Sequence, residues 1–183
     1  MLIIGLTGGI GTGKSTAAKM FEECNIPVFY ADKAAHEALE EISDRQSFSR
    51  EKIADEIFAD DEARKKLEAV LHPRVLEKMN LFIEEHKKQK KPFVVLEVPL
   101  LFEAGFDTYC DKVICAAASE SAQKQRVVSR AGMTPERFEA IKRTQMPEAE
   151  KQQKSDFLIN TDCSTSETKS RVLELVKKLK MEN

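Results

Sequence analysis

Residues 8–15, Gly-Gly-Ile-Gly-Thr-Gly-Lys-Ser, constrain this chain more than any other segment. They form a G-x-x-x-x-G-K-[ST] pattern between the apolar run Leu2 to Leu6 and the helix-forming run Ser15 to Phe21. Strand, glycine loop and helix in that order dictate a βα unit whose helix aims its positive N-terminal end at an anion. The glycines let successive backbone N–H groups turn inward as a nest for phosphate oxygens. Lys14 adds a point charge that reaches the β- and γ-phosphates, and the Ser15 hydroxyl is the expected Mg²⁺ ligand. The expected nucleotide-binding stretch is therefore Gly9, Ile10, Gly11, Thr12, Gly13, Lys14, Ser15 and Thr16. A dinucleotide fingerprint G-x-G-x-x-G fails, because the sixth position counted from Gly9 or Gly11 is Lys14 or Thr16. A nicotinamide or flavin cofactor is disfavoured accordingly.

Four further strand-like runs follow: Ile26 to Tyr30, Phe93 to Val98, Lys112 to Ala116 and Asp156 to Asn160. They are short and almost continuously apolar, as strands buried on both faces are. Their alternation with helical patterns predicts an α/β fold with a parallel sheet of about five strands. Helix starts are legible at Thr134-Pro135-Glu136 and in the capping box Ser164-Thr165-Ser166-Glu167. Val172, Leu175, Val176 and Leu179 then follow at the spacing of a packed helix face.

Residues 33–91 differ from the rest. They are charged and helical in pattern, and at roughly sixty residues they exceed what a simple βαβ crossover needs. Ala63, Leu67, Val70 and Leu71 make one apolar face, and Val75, Met79, Phe82, Ile83 and His86 another. Pro73 lies between them and predicts a helix stop and restart. The stretch reads as a helical insertion at the carboxyl edge of the sheet, where open α/β folds bind their substrates.

The 183 residues fit one core domain carrying that insertion, and the net charge of −2 gives no cationic field for nucleic acid. Lysine runs at 87–91 and 177–180 read as solvated helix ends. Cys24, Cys110, Cys115 and Cys163 are scattered, without metal-ligand spacing, and read as free thiols in a reducing compartment. No run approaches the length of a membrane span and no cleavable leader is evident, so the expectation is a cytoplasmic protein without a membrane partner.

Several side chains are candidates for chemistry. Asp32 follows the second strand and fits either a group that orients a hydroxyl and takes its proton or a helix cap. Glu97 ends the third strand, where an acid holds Mg²⁺ directly or through water. It is Glu rather than the more usual Asp, which leaves Mg²⁺ and substrate contact both open. Glu103 lies near the same edge. Arg126 and Arg130 are four apart and share a face of a predicted helix, and Arg130 precedes the Gly132 hinge. An arginine there can stabilise charge on a transferred phosphoryl group. Arg137, Lys142 and Arg143 follow on the next helix. His72 precedes Pro73, and an isolated histidine is more often structural.

Taken together these residues resemble the dephospho-coenzyme A kinase family. The resemblance runs through Leu6 to Ser15, Ala31-Asp32 with Ala35 and His36, Leu71-His72-Pro73, Val98-Pro99-Leu100-Leu101-Phe102-Glu103, Gln145-Met146-Pro147 and Ser155 to Asn160. It implies a P-loop kinase-like three-layer α/β/α core, with a five-stranded parallel sheet, over about 1–32 and 92–183. It also implies a CoA-binding helical insertion at about 33–91 and a small lid at about 131–147. The implied reaction uses ATP and Mg²⁺ to phosphorylate the ribose 3′-hydroxyl of dephospho-CoA, giving CoA and ADP, the last step of coenzyme A synthesis. Asp32, Lys14 and Arg130 are the catalytic set carried over. Asp32, His72, Glu97 and Glu103 form the substrate side, and Ser15 is the metal ligand. A monomer or weak homo-oligomer is expected. The chain departs from the family pattern at Tyr30, often Asp, at Glu97, often Asp, and at Ile141, often Arg, with Lys142 and Arg143 as nearby substitutes. Another small-molecule kinase, such as a nucleoside monophosphate kinase, is the alternative reading. A GTPase switch is disfavoured, since Asn160-Thr161-Asp162 lacks the lysine of a guanine motif.

Overall fold

The computed structural model describes residues 1–46 and 61–181. In chain order these form β1 (Leu2–Thr7), α1 (Lys14–Glu23), β2 (Val28–Tyr30), α2 (Ala31–Gln46), α3 (Asp61–Lys88) and β3 (Phe93–Glu97). A 3₁₀ turn at Phe106–Tyr109 leads to β4 (Lys112–Ala117), α4 (Glu120–Val128), α5 (Pro135–Arg143), α6 (Glu148–Lys154), β5 (Phe157–Asn160) and α7 (Thr165–Met181). The five strands form one parallel sheet in the order β2-β3-β1-β4-β5.

The phosphate-loop strand β1 is the central one, paired on both sides. Leu2 pairs with Phe93 and Leu6 with Glu97 on one side, and Leu6 pairs with Ile114 on the other. Ile4, Leu6, Phe93, Val95, Leu96 and Ile114 are wholly inaccessible. Each such side chain contributes about 1.5–3 kcal/mol by leaving water. Double-sided burial holds for β3, where all five residues are buried. It fails at β5, a sheet edge, where Leu158 is 54% exposed. α1 runs alongside α7, burying Ala17 and Phe21 from one and Val172, Val176 and Leu179 from the other.

The chain divides into two compact units, residues 1–29 with 86–183, and Tyr30–Glu85. In the second unit Lys78 bridges α3 to α2 through Glu37 at 3.3 Å and Glu41 at 2.9 Å. These carboxylates raise the Lys78 pKa against the opposing effect of burial. Ala34, Ala38, Val75, Met79 and Ile83 are buried. The expected break at Pro73 is not there: α3 continues through it. Proline inside a helix costs about 3 kcal/mol, and three well-buried residues on the following turns outweigh that. The earlier apolar face is only partly covered, since Val70 is 51% exposed. The Ala63 side chain and residues 47–60 of the expected insertion lie outside the described residues.

All four cysteines are free thiols. Among the described residues no helix is long and apolar enough to cross a membrane.

Candidate active site

The loop between β1 and α1 is shaped by glycines where no other residue fits. Gly11 has a φ of 80°, and a Cβ there would come within 2.7 Å of the Gln123 carbonyl and 2.8 Å of Val127. Gly13 takes the left-handed conformation at the N-cap of α1. It offers no side-chain cap, and the first turn of α1 holds no acid. Three other helices in the same unit are closed by side chains: Ser119 caps α4, Thr134 caps α5, and Ser164 with Glu167 forms the box at α7. α6 has no side-chain cap either, but it carries Glu148 and Glu150 in its first turn. The N-terminal amides of α1 are thus left to a ligand, and anions favour that end of a helix.

Beside this opening, Glu97 draws two loop side chains together. Lys14 Nζ lies 3.1 Å from Glu97 Oε1, and the Ser15 hydroxyl donates to the same oxygen at 3.2 Å. Glu97 is 3% exposed at the end of β3, the strand beside β1. A buried carboxylate needs such partners. A carboxylate and a hydroxyl side by side also supply the hard oxygen donors that Mg²⁺ selects.

A cavity of about 270 Å³ opens on the other flank of the loop, lined by Gly11, Gly13, Thr16, Arg126, Arg130 and Thr161 among others. Arg126 donates to the Gly11 carbonyl at 3.2 Å and to the Thr161 hydroxyl and carbonyl at 2.9 and 2.6 Å. Thr161 in turn donates to the Thr12 carbonyl at 2.7 Å. Arg130 does not share a helix face with Arg126 as expected, because α4 ends at Val128. The chain turns after Ser129, and both arginines still line the cavity.

The corner joining α5 to α6 supplies contacts the sequence did not announce. Gln145 Oε1 accepts from the Ile10 amide at 2.9 Å, and Glu148 Oε2 accepts from the Gly9 amide at 3.1 Å. A Cβ on Gly9 would collide with that Glu148 oxygen. Burial pushes the Glu148 carboxyl above its usual range, opposed by the Gly9 N–H and by Lys151. Cys115 donates to Glu148, and burial pushes that thiol up to about 12. Lys151 is fully buried, 2.8 Å from Glu103 Oε1 and 3.0 Å from the Pro99 carbonyl. The same Glu103 oxygen accepts the Met146 amide at 2.8 Å.

Of the residues the sequence singles out, the fold gathers Gly9 to Thr16, Glu97 and Arg130 around the phosphate loop, while Glu103 anchors the α5–α6 corner. Lys142 pairs with Glu120 at 2.7 Å. Asp32 and His72 belong to the second unit, Asp32 in the first turn of α2 directly after β2 and His72 half-buried in α3. Sequence reasoning missed Thr161, Glu148 and Lys151. Lysine in Glu148-Ala149-Glu150-Lys151-Gln152-Gln153-Lys154 reads as a wetted surface, and no local signal marks it as buried.

A five-stranded parallel sheet, a phosphate loop opening onto an uncapped helix and a lysine–serine–carboxylate cluster define a P-loop phosphotransferase. A solved shikimate kinase from Aquifex aeolicus shares the fold, with a TM-score of 0.55 at 16% identity over the whole of both chains. The family model described as dephospho-CoA kinase matches residues 2–167, and this chain belongs to that family. A dephospho-CoA kinase of Brucella abortus (strain 2308) is 38% identical over 188 residues, covering 96% of this chain and 94% of its own. The crystal structure of TT1252 from Thermus thermophilus matches with a TM-score of 0.84 at 34% identity, covering 97% of this chain and 96% of its own.

Proposed function

We propose that this chain transfers the γ-phosphoryl group of ATP to the ribose 3′-hydroxyl of dephospho-CoA, giving CoA and ADP, the last step of coenzyme A synthesis. The observation that carries this reading is the convergence of Lys14 and Ser15 on Glu97 beside a helix end with no cap of its own. In phosphoryl transfer the protein's work is positioning and neutralising charge rather than covalent chemistry. Lys14 leaves Glu97 for the β- and γ-phosphates as nucleotide enters. Ser15 and Glu97 are the residues that would hold Mg²⁺, which would supply neutralising charge to the triphosphate. The cavity beside Arg126 and Thr161 takes the nucleoside end, since it adjoins Gly13 and Thr16 at the start of α1.

Asp32 orients the acceptor hydroxyl and takes its proton as the γ-phosphorus is attacked. Arg130, exposed and at the cavity edge, meets the equatorial oxygens in the transition state. The unit Tyr30–Glu85, including His72, receives the CoA portion, and residues 131–147 act as the lid. Glu103 serves the substrate side by holding the loop after β3.

A coupled ADP-release assay with dephospho-CoA, adenosine, AMP and pantetheine as acceptors tests this. Dephospho-CoA alone should give full turnover. Rapid turnover of AMP would establish a nucleoside monophosphate kinase instead. Asp32→Asn should lower kcat about 10²–10⁴-fold while leaving ATP affinity nearly intact. Near-normal kcat in that variant would remove Asp32 from the mechanism.

A further inference from the structure

The phosphate loop has four glycines in six residues, at 8, 9, 11 and 13. A backbone of that kind loses more freedom on ordering than any other. A ligand that had to order it would bind more weakly by that cost. Something in the protein must therefore hold the loop before the nucleotide arrives. The helix α1 holds its second half, where Thr16 and Ala17 both donate to the Gly13 carbonyl at 3.0 Å. The first half is turned on itself, the Thr12 hydroxyl and amide donating to the Gly9 carbonyl at 2.9 and 3.3 Å, and the α5–α6 corner adds the contacts from outside the loop.

We propose that Gln145 and Glu148 are positioning residues that strap the first half of the phosphate loop into its binding shape, and that Lys151 and Glu103 anchor the strap. This rests on the nucleotide-binding role proposed above for the loop. Two acceptors from one corner take two consecutive loop amides, Ile10 and Gly9, at 2.9 and 3.1 Å. Those two amides are thereby fixed toward the corner, and the loop that follows them leads into the uncapped start of α1. The corner is itself tied down on its far side. Glu103 takes the Met146 amide between the two acceptors, and Lys151 joins Glu103 to the Pro99 carbonyl just beyond β3. Thr7, the last residue before the loop, donates to that same carbonyl at 3.3 Å. The contacts close a ring from Thr7 through Pro99, Lys151, Glu103 and Met146 to Gln145, Glu148 and back to Gly9. Gln145 and Met146 are the C-terminal end of the lid segment, so the strap also pins that end while leaving α5 outside the ring.

Three variants test the strap. Gln145→Met and Glu148→Leu keep side-chain size and remove the acceptor. Glu148→Gln keeps the acceptor and removes the charge. Each is measured by calorimetry with a non-cleavable ATP analogue, by steady-state kinetics for both substrates, and by Tm without nucleotide. Gln145→Met and Glu148→Leu should each weaken analogue binding and raise KM for ATP about tenfold, the scale of one lost hydrogen bond. KM for dephospho-CoA should move less than twofold, and Glu148→Gln should stay within about threefold of the parent protein on every parameter. A lowered Tm with unchanged analogue affinity would reduce both residues to ordinary structural contacts and overturn the strap. Glu148→Gln as impaired as Glu148→Leu would overturn it too, since the charge and not the accepted bond would then matter. Failure of the parent protein itself to bind the analogue would count against the proposed function instead. Lys151→Met would also break the buried tie to the Pro99 carbonyl, so the test does not depend on it.

Discussion

Two helices that lie side by side in this protein begin in opposite ways. α7 closes its own N-terminus: Ser164 Oγ accepts the Glu167 amide at 3.2 Å, and Glu167 takes the Ser164 amide at 2.9 Å. α1 begins at a left-handed glycine with no side-chain cap and no acid in its first turn. Both helices bury apolar faces, so both are held by packing. Only one of them spends its end on itself. Structural helices satisfy their orphan amides locally, and a helix end left open next to a lysine and a buried carboxylate is set aside for an anion.

Substitutions at the two ends can break this contrast. Lys14→Ala removes the cation of the phosphate loop itself and should lower turnover by about three orders of magnitude or more, read in the ADP-release assay. Thr16→Glu would give α1 the acid it lacks. That side chain should compete for the amides and repel the triphosphate, weakening ATP affinity on the order of a hundredfold by calorimetry. Unchanged affinity would mean that the end of α1 is not where the phosphates lie. Arg130→Ala, beyond the amides but on the same cavity, should lower kcat roughly 10–100-fold with little change in KM for ATP.

At the closed end the effect should be small and confined to stability. Ser164→Ala should lower Tm by roughly 2–4 °C and leave kcat and KM alone. Hydrogen bonds from the Ser164 hydroxyl and amide hold the Glu167 carboxyl below its usual range. A depressed carboxyl stabilises the fold above its ordinary pKa and loses that contribution as pH falls through the lowered value. The Tm gap between parent and variant should therefore narrow in acid. A gap that widened would contradict the box.

The open end was legible in the sequence because it is local. Eight consecutive residues and their flanks specify the strand, the loop and the helix, and the α7 box needs only four. The sheet was legible because buried strands are apolar runs, although an apolar run does not reveal whether its strand is central or, like β5, at an edge. What stayed hidden was contact over distance. Gln145 and Glu148 meet Ile10 and Gly9 across 135 and 139 residues, and Arg126 reaches Gly11 across 115. No spacing rule encodes such pairs. Pro73 misled for the opposite reason: its local rule is sound, but burial of Val75, Met79 and Ile83 overrode it.

The place of β1 in the sheet has a consequence for how the protein is made. β1 leaves the ribosome before either of its partners, residues 93–97 and 112–115. The strand that ends in the phosphate loop must wait, apolar, until some ninety further residues exist. Joining Leu2 to Phe93 closes a loop of about ninety residues, at an entropic cost near 4 kcal/mol in its length-dependent part. Contacts within Tyr30–Glu85, such as Lys78 with Glu37, are far closer in sequence and can form sooner. A segment made early is thus among the last to acquire its shape, and a nascent chain cut short before residue 93 would carry the complete nucleotide motif without the sheet that makes it work.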